Sequence, residues 1–188
     1  MVCENEDARG VTCSHCKDFT SLFGLLYVAP YQAKWARRGI HWFKYKGVID
    51  VHTALAHLLI ERLLVIAPYA ELSTHYSLVP IPLHPKKERL RGFNQSLVLA
   101  TTVSHLTGIP VTPLLQRARN THTQAMLPHD MRAKNMSQAF SVTESITPHS
   151  KFIVIDDVST TGVTLSMAGY ALQEAGAGDV WGAVIARG

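Results

Sequence analysis

The stretch Lys151-Phe-Ile-Val-Ile-Asp-Asp-Val-Ser-Thr-Thr-Gly-Val-Thr164 decides the fold. Lys151 to Ile155 is a short β-branched and aromatic run of the kind buried on both faces of a sheet. Thr161 to Ala175 then carries a helical apolar pattern ended by Gly176, and Val180 to Ala186 is a second apolar strand. Strand, helix, strand at this spacing predicts a right-handed βαβ unit with parallel strands, and so an α/β domain. Between the first strand and the helix, two adjacent acids are followed by a hydroxyl-rich loop with one glycine. A helix N-terminus offers unpaired N–H groups and the positive end of the helix dipole, so this loop is suited to cradle a phosphate. Carboxylates beside it would repel phosphate. They are suited instead to accept hydrogen bonds from sugar hydroxyls or to hold a metal, and the combination describes a ribose 5-phosphate site.

Upstream, Val48 to Ala67 has apolar residues at 51, 55, 58, 59, 63 and 66, the stripe of a core helix, with Pro68 beyond its end. Ser77 to Leu83 reads as a strand stopped by Pro80 and Pro82. Asn94 to Thr107 reads as a helix with Asn94 at its N-cap and Gly108 at its C′ position. Residues 110–115 are a further candidate strand, and the long polar stretch 117–135 has the character of a functional loop.

The chain has 188 residues, 47% of them apolar and 17% charged, the size of one ordinary domain with a small appendage. No apolar run approaches the roughly 18 residues of a membrane span, and acids occupy the place of a signal peptide's basic region, so a soluble cytoplasmic protein is expected. The net charge of +4 is unevenly spread: residues 1–30 sum to −2, residues 31–135 to +9 and residues 136–188 to −3. A basic middle suggests an anionic ligand, either nucleic acid or a phosphorylated small molecule. Between Leu22 and Gly47, aromatic residues alternate with Lys34, Arg37, Arg38, Lys44 and Lys46. This pattern suits stacking on single-stranded DNA, the plainer alternative being a subdomain with an aromatic core and solvated lysines.

The segment Ile155 to Thr164 resembles the 5-phosphoribosyl-1-pyrophosphate (PRPP) motif of type I phosphoribosyltransferases. The lysine of a nucleotide-triphosphate P-loop is missing. Val79-Pro-Ile-Pro-Leu-His84, Arg91-Gly-Phe-Asn-Gln95, Thr123-Gln124 with Arg132 and Asn135, and Ile40-His-Trp-Phe-Lys-Tyr-Lys-Gly47 narrow the resemblance to the ComF family. It covers residues 20–188 and implies a type I phosphoribosyltransferase fold, a mostly parallel sheet flanked by helices. The corresponding organisation is a cysteine-containing segment (1–20), an aromatic-basic hood (21–50) and a phosphoribosyltransferase core (51–188). It also implies a role in DNA uptake and natural transformation.

Carried over by position, Asp156 and Asp157 would bind the ribose hydroxyls, and Ser159, Thr160, Thr161, Gly162, Val163 and Thr164 the 5′-phosphate. The turn after His84 would form the pyrophosphate loop, with His84, Lys87, Arg89 and Arg91 near the leaving group. Packing on Pro85 is the alternative for His84, a solvated surface for the basic run, and helix capping for Asn94 and Gln95. Arg117, Arg119, Thr123, Gln124 and Arg132 would belong to a loop closing over the site, Gln124 and Arg132 serving catalysis beside the acid pair. Mg²⁺ is the implied cofactor, bridging pyrophosphate and ribose.

Cys13-Ser-His-Cys16 has the spacing of a zinc knuckle, to which Cys3 could add a third thiolate. The family's module has four cysteines, and His15 or a residue further upstream are the candidates for the fourth ligand. A disulfide or a free tail are the alternatives to structural zinc. Three functions follow: a phosphoribosyltransferase with an unidentified acceptor, a PRPP- and DNA-binding accessory protein without turnover that meets a competence helicase or recombination loader, and a nucleobase salvage enzyme.

Overall fold

The computed structural model describes residues 10–45, 49–117 and 139–188. Its centre is a four-stranded, wholly parallel sheet in the order β1-β6-β5-β2, from β1 (Gly24–Pro30), β2 (Tyr76–Pro80), β5 (Lys151–Ser159) and β6 (Val180–Arg187). A two-stranded antiparallel ribbon, β3 (Leu115–Arg117) with β4 (Phe140–Val142), forms a second sheet whose Leu115 and Phe140 share a core with Phe152 and Val154 of the first. The helices are α1 (Ser14–Lys17), α2 (Lys34–Tyr45), α3 (Ile49–Leu63), α4 (Tyr69–His75), α5 (Pro85–Arg91), α6 (Gln95–Thr107) and α7 (Val163–Glu174). None of those described is long and apolar enough to cross a membrane.

Both faces of the sheet are covered, which is why β5 and β6 read as continuous apolar runs. Ile153, Ile155, Ala183 and Ile185 pack on one face with Phe43 of α2, Leu55, Leu59 and Leu63 of α3, and Leu99 and Val103 of α6. Phe152, Val154, Val180 and Val184 pack on the other with Leu165, Ala168 and Leu172 of α7. α6, which follows β2, therefore lies on the opposite face from α7, which follows β5. Where neighbouring parallel strands send their connections to opposite faces, a crevice opens at their carboxyl ends.

The sequence-derived βαβ unit is present as β5-α7-β6, with β5 running four residues past Ile155. α6 starts and stops as its caps predict: Asn94 Oδ1 accepts from the N–H groups of Ser96 and Leu97, and Gly108 takes φ 75°. α3 is shorter than its apolar stripe, ending at Leu63, and the chain turns before Pro68 leads into α4. The strand expected at 110–115 is reduced to one parallel bridge between Val111 and Leu78, and pairing resumes at Leu115. β1, from the aromatic-basic segment, pairs along β6 from Gly24 to Pro30 and so forms an edge of the main sheet.

Candidate functional site

β2 stops pairing at Pro80, opposite Ile155, while β5 continues alongside β6 to Ser159. Asp156 to Ser159 therefore project beyond β2 into the crevice. Proline cannot donate to a ladder, and the paired prolines at 80 and 82 account for the early stop. The two acids have different partners. Asp156 Oδ1 accepts from Ser96 Oγ at 2.9 Å and from the Asp157 N–H at 2.8 Å. Ser96 reaches it because Asn94, capping α6, also donates from Nδ2 to the Ile81 carbonyl at 3.0 Å, tying the helix start to the end of β2. Asp157 is buried, and its Oδ2 lies 2.8 Å from Lys44 Nζ near the end of α2. Burial, reinforced by the negative charge of Asp157, raises the Asp156 carboxyl to about 7 against the hydrogen bonds from Ser96 and the Asp157 N–H.

After Ser159, which is buried, Thr160 and Thr161 are exposed at the mouth of the crevice. Gly162 is the N-cap of α7 at φ 77°, a conformation that penalises any Cβ, and nothing lies within 4 Å of where one would stand. No side chain caps α7, so its first-turn N–H groups lack both an intrahelical acceptor and a side-chain cap at the same end of β5 as the two threonines. Val163 is exposed and Thr164 half-buried on this turn.

His84, expected near a pyrophosphate, is the N-cap of α5, its Nδ1 accepting from the Lys86 N–H at 3.2 Å. α5 buries none of its residues, so Lys87 and Arg89 stand in solvent beyond the end of β2. Arg91 donates to Gln95 Oε1 at 2.8 Å, and Arg117 Nε donates to the Pro82 carbonyl at 3.1 Å. Both guanidinium groups are thus brought to the margin of the crevice. Arg119, Thr123, Gln124, Arg132, Asn135, Lys46 and Cys3 lie outside the described residues. Cys13 is the half-buried N-cap of the four-residue α1, and Cys16 lies within that helix and is buried.

α2 is amphipathic. Ala36, Ile40 and Phe43 are buried, while Lys34, Trp35, Arg37, Arg38, His41 and Trp42 are exposed. The aromatic residues of this region accordingly divide between core and surface, and the Arg38 guanidinium lies over the Trp42 ring, 5.5 Å from its centroid. A cleft of about 440 Å³ between α2 and Arg91 is lined by Arg37, Arg38, His41, Trp42 and Lys44 among others. Sequence reasoning grouped Lys44 with the α2 surface and missed its contact with Asp157, which joins residues 113 positions apart without any local signal.

No family model matches the chain. It is 30% identical over 148 residues to competence protein F of Haemophilus influenzae, an alignment covering 76% of this chain and 65% of that protein. It is likewise 30% identical over 142 residues to the DNA utilization protein YhgH of Escherichia coli, covering 75% and 62%. The competence protein ComFC of Bacillus subtilis is 32% identical over 104 residues, 54% of this chain and 40% of that one. The chain thus spans a little under two thirds of the length of the first two relatives. On these likenesses the chain belongs to the ComF family.

Proposed function

We propose that the chain binds PRPP at the carboxyl end of β5 and acts on single-stranded DNA during its uptake, as a protein of the type I phosphoribosyltransferase fold. The observation that carries this reading is the position of the acid pair and the uncapped start of α7 on one crevice, where open parallel sheets bind their ligands. The 5′-phosphate would sit on the first-turn N–H groups of α7, with the hydroxyls of Ser159, Thr160, Thr161 and Thr164 around it and Gly162 allowing close approach. Asp156 and Asp157 would accept from the ribose hydroxyls. Lys87, Arg89, Arg91 and Arg117 stand on the side where β2 ends and would bind the pyrophosphate, and His84 would act through its hold on the start of α5.

The acid pair offers two carboxylates to a divalent cation, whose charge would offset the repulsion that keeps Asp156 from ionising readily. No group of three metal-ligating side chains occurs among the described residues, so such an ion would draw its other ligands from pyrophosphate and ribose oxygens. Mg²⁺ held there would neutralise the departing pyrophosphate. In turnover an acceptor attacks the anomeric carbon, the C–O bond to pyrophosphate breaks, and the side chains position and shield the reacting sugar. Gln124 and Arg132 are proposed for closure over that sugar. Structural zinc at Cys3, Cys13 and Cys16 is part of the reading, and metal analysis of the purified protein tests it.

The names of the relatives support the link to competence and DNA utilization. The exposed Lys34, Arg37 and Arg38 of α2, with the half-buried Lys44 and with Lys46, would supply the DNA surface, and a helicase or recombination loader is the proposed protein partner. Calorimetric titration with PRPP and Mg²⁺ tests the site. One-site binding is expected, lost when Asp156→Asn and Asp157→Asn are combined, and equal binding by both proteins would exclude the acid pair.

A further inference from the structure

Lys44 is the point at which the two halves of that reading meet. Its ammonium lies 2.8 Å from Asp157 Oδ2, with the two side chains 20% and 10% exposed. The same lysine lines the cleft that Arg37, Arg38, His41 and Arg91 also line, and no acidic side chain is among the residues of that cleft. Lys44 is therefore one cation with two possible counter-charges: the carboxylate behind it, or an anion in the cleft in front of it. A lysine on its flexible stem can exchange one for the other with little backbone movement.

We infer that Lys44 is a charge gate between the acid pair and the basic cleft, released from Asp157 when a divalent cation arrives there and then engaging a phosphate of a single-stranded nucleic acid in the cleft. This rests on the nucleic-acid reading of α2 above and adds that occupancy of the acid pair controls it. The direction follows from electrostatics. A double charge at Asp157 outcompetes a single one and repels the ammonium, whereas without the cation the buried carboxylate retains Lys44. The choice of strand over duplex follows from Trp42, 39% exposed beside the cleft and already carrying Arg38 on its face, a platform for an unpaired base. By linkage, nucleic acid in the cleft must in turn favour the cation at Asp157.

The test is binding of a fluorescein-labelled oligothymidylate to the intact chain, followed by anisotropy with and without Mg²⁺ at matched ionic strength, PRPP being present in both buffers to supply the cation's remaining ligands. The intact protein is expected to bind roughly fivefold tighter with Mg²⁺, the reverse of the ordinary screening effect. Asp157→Asn frees Lys44 permanently, so it should bind at the tighter level in both buffers. Lys44→Gln should bind at the weaker level in both, with a salt slope shallower by about 0.7, one phosphate contact on a single strand. An Asp157→Asn protein that binds no better than the intact chain without Mg²⁺ would overturn the gate, as would a Mg²⁺ response that persists in Lys44→Gln. No binding by any of the three proteins would overturn the nucleic-acid reading beneath it, while PRPP titration reports separately on the acid pair.

Discussion

Replacing Asp156 by Asn should make the protein more stable at alkaline pH. The asparagine keeps the shape of the side chain and an Oδ1 able to accept from Ser96 Oγ and the Asp157 N–H, so the neighbouring contacts survive. What changes is charge. The carboxyl is raised from 3.8 to about 7 by burial and by Asp157, so between these values the folded protein holds a proton that the unfolded chain has lost. Stability then falls as pH rises through this window, because the folded state binds more protons. Raising the carboxyl from 3.8 to about 7 corresponds to a ceiling of ~4 kcal/mol. Asp156 is only half-buried, and solvent at the crevice reduces this to ~2 kcal/mol. Urea denaturation of both proteins at intervals from pH 5 to pH 8 measures it. The advantage of Asp156→Asn should grow steadily to about pH 7 and then level off. A difference that is flat with pH, or that shrinks toward pH 8, would refute the account of this pair.

Three further outcomes follow from particular contacts. Asn94→Ala removes the cap of α6 and its tie to Ile81, and should cost ~1 kcal/mol, seen as a melting temperature lower by about 3 °C. Gly24→Ala places a Cβ 2.6 Å from the Gly10 carbonyl oxygen and closer still to the Trp181 ring, and overpacking there should cost about 1–3 kcal/mol in chemical denaturation. Affinity for PRPP with Mg²⁺ should rise roughly tenfold from pH 6 to pH 8 in the intact protein as Asp156 ionises, and Asp156→Asn should remove that component of the pH dependence, as titration calorimetry would show.

The parts of the fold that sequence made legible are those fixed by local chemistry. β5, α7 and β6 are long enough for their apolar periods to be unambiguous, and α6 carries at Asn94 and Gly108 both of its boundary residues. The acid pair and the glycine of the loop could be placed because they adjoin a clear strand and a clear helix. Boundaries were less legible where pairing is decided elsewhere. β5 continues to Ser159 only because β6 runs beside it to Arg187, and the Val111 segment makes a single bridge to β2 rather than a strand. His84 illustrates an ambiguity that local sequence does not resolve. A histidine before Pro-Lys-Lys suits an anion site, yet its ring nitrogen holds the start of α5. Lys44 lay beyond sequence reasoning altogether. Its alternation with aromatics suggested a surface residue, and only the packing of Ile40 and Phe43 onto the sheet carries it back to Asp157.

The central claim is that the crevice at the end of β5 takes a phosphoribosyl ligand. A crystal structure of the protein soaked with PRPP and Mg²⁺ tests it most directly. The account predicts the 5′-phosphate on the first turn of α7 between Ser159 and Thr164, the ribose hydroxyls on Asp156 and Asp157, and Lys44 withdrawn from Asp157. Ligand bound anywhere else, or an untouched ion pair between Lys44 and Asp157 at full occupancy of the ligand, would contradict it.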